Sequence, residues 1–206
     1  MPKEIVILEP YSVGVRDVPE ESPGSGEVLM RTIYSAISHG TEMNSYRGRA
    51  PGVDREMRDG LYEPESEDRE PAYPCVSGYE EVGEVIAVGE GVESMQLGDR
   101  FTYTAGHRTH AVVSVDDPYL HRLPDGMDAK HAVFLALGGV AYDALLSSNI
   151  RLGESACVLG AGVIGLLLVI MLKRAGVSPI IVADPIENRR NLAMEFGADH
   201  VFDPTE

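Results

Sequence analysis

Gly160, Gly162 and Gly165 punctuate the run Cys157-Val-Leu-Gly-Ala-Gly-Val-Ile-Gly165, and Asp184 follows nineteen positions after the last of them. A short apolar strand therefore runs into G-x-G-x-x-G. That pattern opens a helix predicted from Val163 to about Arg174, and a second strand, Pro179 to Ala183, ends on an acid. Strand, glycine turn, helix and acid at this spacing are the parts of a dinucleotide site. Gly160 permits the tight turn, Gly162 lets the backbone approach a pyrophosphate, and Gly165 lets the helix pack close to the strand. Val163 and Ile164, the first helical residues, complete the set around the phosphates. Asp184 would hold the adenosine ribose hydroxyls and repel a 2′-phosphate, which favours NAD over NADP. Arg189 is counted with the cofactor contacts. It or Arg190 could reach a 2′-phosphate, and the plainer expectation is that both face solvent on the helix beginning near Ile186.

The elements that must hold this site divide the chain in two. Up to about residue 125 the pattern is of short strands separated by turn signals: Ile5 to Leu8, Glu27 to Tyr34, Val82 to Val88, Arg100 to Thr104 and Thr109 to Val113. So many short strands suggest a partly open β-barrel. A polar, acid-rich interval from Ala50 to Pro74 interrupts them and reads as a mobile surface loop, or more sharply as a lid. From Asp128 the period becomes helical, through Ala132, Leu135, Val140, Leu145 and Leu146, and the strand–helix–strand unit begins at Glu154. A helix from Ile186 to Phe196 capped by Gly197, and a third strand at His200 to Phe202, complete the pattern. The expected domains are 1–127, the barrel, and 128–206, a connector helix with a nucleotide domain.

Several segments now align with one known family. They are Ser35-Ala-Ile-Ser-His-Gly-Thr-Glu42 with Tyr46-Arg-Gly48, Tyr73-Pro74, Gly78-Tyr-Glu80-Glu-Val-Gly83, Leu97-Gly-Asp-Arg100, the glycine run, and Phe196-Gly-Ala-Asp199. In that order they resemble the medium-chain dehydrogenase/reductase superfamily of alcohol and polyol dehydrogenases. The resemblance implies an α/β fold: an N-terminal GroES-like barrel followed by the first half of a Rossmann doubly wound parallel sheet. It also implies hydride transfer between NAD and a small alcohol, carbonyl or sugar-derived substrate.

The expected catalytic apparatus departs from the family's zinc members, which resemble C-G-T-D at the first segment and G-H-E at the second. Here His39 stands at the cysteine position, Tyr79 at the histidine position, and the third ligand falls near Ala136. One donor in three does not make a zinc site, so no metal is expected. His107 and His110 lie close together, but they are expected to be exposed. Without zinc, charge on the reacting oxygen needs other stabilisers. By the resemblance, Thr41 relays the substrate proton, Tyr79 donates to a carbonyl, His39 serves as acid/base, and Glu80 is a supporting carboxylate. A zinc-free quinone or enone reductase and a nucleotide-binding remnant without catalysis are the competing readings.

Composition narrows the partners. With 33 acidic against 17 basic residues the formal charge is −16, which argues against nucleic acid and anionic membranes. No stretch reaches the apolar length of a membrane span, and the start of the chain lacks a signal-peptide pattern. Cys75, just before a turn, and Cys157, inside a strand expected to be buried, make no disulfide framework, and a reducing cytoplasm fits. The chain stops just after the third parallel strand, as expected of a truncated product or a piece of a longer chain. The unpaired strand edge this leaves favours a homo-oligomer. Only three of the basic residues are lysine (Lys3, Lys130, Lys173), which suits a salt-rich cytoplasm. The melting temperature should then rise between low salt and molar KCl, and a flat or falling response would rule out salt adaptation.

Overall fold

The computed structural model describes residues 1–50 and 73–206, together with the short antiparallel pair β4 (Met57–Arg58) and β5 (Leu61–Tyr62). The acidic interval from Ala50 to Pro74, and with it the expected surface loop or lid, falls almost entirely outside the described residues. Two compact units form, Met1–Val133 and Phe134–Glu206.

In the first unit β1 (Lys3–Glu9) pairs antiparallel with β2 (Ser12–Asp17) on one side and with β6 (Cys75–Val76) on the other. The remaining strands are β3 (Glu27–Ser35), β7 (Glu81–Val88), β8 (Arg100–Tyr103), β9 (His110–Ser114) and β10 (His121–Arg122). They form one antiparallel sheet in the order β10-β8-β7-β3-β9. Its core follows the two-residue period of a strand: Val28 and Met30 on β3 and Ala111 and Val113 on β9 point inward, onto Val85, Phe101 and Tyr103. Each large side chain so buried contributes about 1.5–3 kcal/mol relative to exposure. The two sheets meet at the turn carrying His107. There the Ile5 N–H donates to the His107 carbonyl and the Thr109 N–H to the Lys3 carbonyl, both at 2.8 Å. The helix α1 (Thr41–Tyr46) follows β3. The short helix α2 (Ala129–Ala132), capped by Asp128, covers a second cluster of Val82, Leu123 and Val133. All five expected strands form. The sequence pattern missed β2, whose Val13 and Val15 are exposed, and the two-residue strands β4, β5, β6 and β10.

The second unit begins with α3 (Leu135–Ser147), so the single helical run read from Asp128 is two helices, broken at Val133–Phe134. Next come β11 (Ala156–Leu159), α4 (Val163–Arg174), β12 (Ile180–Ala183), α5 (Glu187–Glu195) and β13 (His200–Phe202). The three strands are parallel, in the order β11-β12-β13. Gly197 ends α5 at φ +115°, the left-handed geometry expected of a cap. Val158, Val169, Leu172, Ile180 and Val182 form the core. Burial is one-sided here, against the expectation for Cys157. Helix α4 is half-buried, with only Val169 and Leu172 enclosed, because only one of its faces meets the sheet and α3. Cys157 is exposed rather than buried, and its neighbour Leu159 is 81% exposed. Alternate residues of a strand face opposite ways, and on β11 only the Val158 side carries the core. Among the described residues no helix is long and apolar enough to cross a membrane.

Candidate functional site

The glycine-rich turn takes its shape from three backbone constraints. Gly160 has φ +93°, a conformation an L side chain rarely adopts, and its N–H donates to the Ala183 carbonyl at 2.8 Å. Gly165 packs so tightly that a Cβ there would overlap the Gly160 carbonyl oxygen. Gly162 is different: its backbone is ordinary, a Cβ on it would meet nothing within 4 Å, and it caps α4 without a side-chain hydrogen bond. The first turn of α4, beginning with the partly exposed Val163 and Ile164, thus opens beside free space with a positive dipole end.

Asp184 lies at the end of β12, 2% exposed. Its Oδ2 accepts the Ala161 N–H and its Oδ1 the Ile186 N–H, both at 2.8 Å, so the acid holds the glycine turn in addition to lying beside it. Burial pushes its pKa up, but those two N–H groups and the charges of Arg189 and Arg190 outweigh burial and hold it below the usual value. Arg189 Nη1 is 3.8 Å from Oδ2. Arg190 does not face solvent as expected: its Nη1 donates to the Asp184 carbonyl at 2.7 Å and to Asp203 at 3.0 Å.

In the first unit the structure brings the two expected catalytic segments together. Ser35 is opposite Glu81 in the β3–β7 ladder, and the Ala36 N–H donates to the Glu80 carbonyl at 2.9 Å. His39 and Thr41 are exposed, Thr41 opening α1; Tyr79 is half-buried and Glu80 buried. Ala136 is exposed on α3, in the other unit. Among the described residues no three His, Cys, Asp or Glu side chains group so as to hold a metal ion.

Sequence reasoning missed the polar centre of this unit. His107, expected to be exposed, is 7% exposed, whereas His110 is partly exposed. His107 Nε2 is 2.6 Å from Glu42 Oε2, and its Nδ1 is 2.7 Å from Ser35 Oγ. Its neighbours make the burial possible, since partners on both ring nitrogens offset part of the cost of removing the imidazole from water. A cavity of about 390 Å³ opens beside the pair, with Ile5, Ile37 and Met43 among its apolar lining and Glu42, Ser77 and His107 as its polar wall. A larger hollow of about 830 Å³ along Met1, Arg16 and Glu20 contains none of the candidate groups. The only sequence signal for the buried pair was an acid, Glu42, in an otherwise small and polar turn.

The pair and its neighbours titrate together. The Glu42 hydrogen bond raises the His107 pKa, burial opposes it, and the charges of Glu42, Glu81 and Glu80 add to the rise. For Glu42, burial pushes up, but His107, the Ser38 N–H and Ser77 prevail and the pKa is lowered. Burial pushes Glu81 up to about 7, against the Ala105 N–H and His107, with the charges of Glu42 and Glu80 adding to the push. A raised histidine stabilises the fold fully below its ordinary value of 6.5, and that gain is lost as pH rises through its folded pKa. A raised carboxyl behaves alike: the folded chain holds a proton on Glu81 that the unfolded chain releases above 4.5, so stability falls as pH rises from there towards about 7. The lowered Glu42 adds stability above 4.5 and loses it in acid. The melting temperature should therefore fall as pH rises from 4.5 through about 7, and less steeply in Glu81→Gln. Equal slopes in the two proteins would show that Glu81 is ionised throughout.

Residues 24–141 match the family described as alcohol dehydrogenase GroES-like domain. Over 224 residues the chain is 31% identical to L-threonine 3-dehydrogenase of Thermococcus kodakarensis, an alignment covering 95% of this chain and 59% of that protein. It is 27% identical to D-guloside 3-dehydrogenase of Escherichia coli K12, over 98% of this chain and again 59% of the relative. An alcohol dehydrogenase from E. coli CFT073, solved with NADH, superposes with a TM-score of 0.80 at 25% identity, covering 100% of this chain and 63% of that one. The present chain thus spans about three-fifths of the length of these proteins. Its GroES-like segment fills more than half of the sequence, and the chain belongs to the medium-chain dehydrogenase/reductase superfamily.

Proposed function

We propose that the protein is an oxidoreductase of the alcohol and polyol dehydrogenase type, using NAD(H) on an alcohol, carbonyl or sugar-derived small molecule, without a catalytic zinc. The observation that carries this reading is the turn from Gly160 to Gly165 tied to Asp184, with open space at Gly162 where a phosphate would sit. In the E. coli CFT073 relative the bound cofactor is NADH. Gly160, Gly162 and Gly165, with Val163 and Ile164, would hold the pyrophosphate, and Asp184 the adenosine ribose. Both Asp184 oxygens keep a second lone pair for ribose hydroxyls after accepting from Ala161 and Ile186. The carboxylate opposes a 2′-phosphate; Arg189 beside it is the residue that would soften this preference.

A bound nicotinamide supplies hydride acceptance or donation. The chain's own groups must hold the reacting oxygen and move its proton. Zinc does not fit the residues present, because an imidazole, a phenol and a methyl group at His39, Tyr79 and Ala136 do not supply three good donors. Thr41 and Tyr79 instead offer hydroxyls for hydrogen bonds to the oxygen as charge develops on it. His39, exposed beside Thr41, takes or returns the proton, and the buried Glu80 is the supporting carboxylate of this segment.

Two experiments test this reading. A Gly162→Val side chain enters empty space, so the fold should keep its melting temperature while NADH affinity, read by heat or fluorescence, drops by about tenfold or more. Unchanged affinity would place the nucleotide elsewhere. In a form of the protein reaching its relatives' full length, Tyr79→Phe and Thr41→Val should each lower kcat on the order of 10²-fold. Full turnover by both variants would remove these residues from the reaction. NADH binding without turnover in the unsubstituted full-length form would instead favour a nucleotide-binding protein without catalysis.

A further inference from the structure

The buried pair Glu42 and His107 connects the two segments that carry the candidate catalytic hydroxyls. Glu42 Oε1 accepts the Ser38 N–H at 2.7 Å, immediately before His39 and three residues before Thr41. Its Oε2 meets His107 Nε2 at 2.6 Å and accepts from Ser77 Oγ at 3.2 Å, two residues before Tyr79. The backbone of His107 is fixed as well: its N–H donates to the Ser77 carbonyl at 2.9 Å, and its carbonyl accepts the Ile5 N–H at 2.8 Å. Gly78 lies against this contact at φ +124°, where a Cβ would come within 2.7 Å of the His107 nitrogen. One carboxylate and one imidazole thus bind the loop before Thr41 to the loop before Tyr79.

This arrangement is costly for a purely structural contact. Glu42 is 5% exposed and His107 7%, and replacing a buried ion pair by apolar groups of similar shape is often neutral or stabilising. The hydrogen bonds of the pair go to Ser35, Ser38, Ser77 and the β1 backbone, and His107 Nδ1 also lies 3.8 Å from the buried Glu81 Oε1. What the pair sets is geometry. A hydroxyl displaced by about 1 Å from its productive place can cost on the order of 10²-fold in rate.

We infer that Glu42 and His107 form a positioning pair that fixes the loop of Ser38–Thr41 against the loop of Ser77–Tyr79, and so sets where the Thr41 and Tyr79 hydroxyls stand. Neither group touches the reacting atoms. Ser35 orients the imidazole through Nδ1. The inference rests on the assignment of Thr41 and Tyr79 given above, and its test separates the two.

Amide hydrogen exchange at Ser38 and at residue 107, whose N–H groups donate to Glu42 and to the Ser77 carbonyl, is measured on the 206-residue chain and needs no activity. His107→Phe, which keeps the bulk and removes both ring bonds, should speed exchange at both amides by about tenfold. His107→Gln, whose amide can still donate to Glu42, should recover much of the protection. It also serves as the test variant if His107→Phe does not fold, with exchange then intermediate between wild type and Glu42→Ala. In the full-length form His107→Phe should lower kcat by on the order of tenfold or more, with KM for NAD unchanged and partial rescue in His107→Gln. Unchanged exchange in every variant would overturn the pair as a clasp. Faster exchange with unchanged kcat would overturn its positioning role. Faster exchange in a protein whose Tyr79→Phe and Thr41→Val variants both turn over fully would leave the clasp but remove the reaction it was inferred to serve.

Discussion

A carboxylate removed from water must find partners for its oxygens, and this single requirement organises the N-terminal unit. Glu42 meets it with His107, the Ser38 N–H and Ser77, groups from three separate stretches of chain. Because leaving any of them unpaired is costly, the stretches cannot drift apart independently. The turn carrying His107 is the same turn whose backbone joins the two sheets, through Ile5 and Thr109. The polar centre and the junction of the sheets are one piece of structure.

The C-terminal unit uses the same principle on a smaller scale. Asp184, 2% exposed, is satisfied by the N–H groups of Ala161 and Ile186, so the acid at the end of β12 holds the turn at the end of β11. Gly160 supplies a backbone conformation that would strain any other residue, and Gly165 the close approach that leaves no room for a Cβ. Of the three, Gly162 alone combines open space with an ordinary backbone conformation. Two of the three glycines are explained by folding, and the third is the one proposed to face the cofactor phosphates.

Local pattern carried much of the architecture. The helix from Val163 to Arg174, the strand His200 to Phe202 and the cap at Gly197 depend on neighbours within a turn or two, and they form as expected. The errors share a different cause. Cys157 and His107 were misjudged because burial depends on which face is covered, and that is decided by distant chain: β11 has its core only on the Val158 side, and Glu42 is 65 positions from His107. The exposed histidine expected of a strand-turn region became a buried one because a carboxylate was waiting for it.

The amino-acid sequence by itself determined the order of the main strands and helices, the glycine turn with its acid, and the donor types available at His39, Tyr79 and Ala136. These are matters of residue type and short spacing, set by backbone sterics and donor chemistry. Only the tertiary structure decided that Asp184 grips the glycine turn, that Arg190 bonds to Asp203, and that Glu42 and His107 meet. The physical reason is the same in each case. Such contacts exist only once separate segments have folded together, and it is desolvation of the charged groups, invisible in a linear chain, that selects their partners.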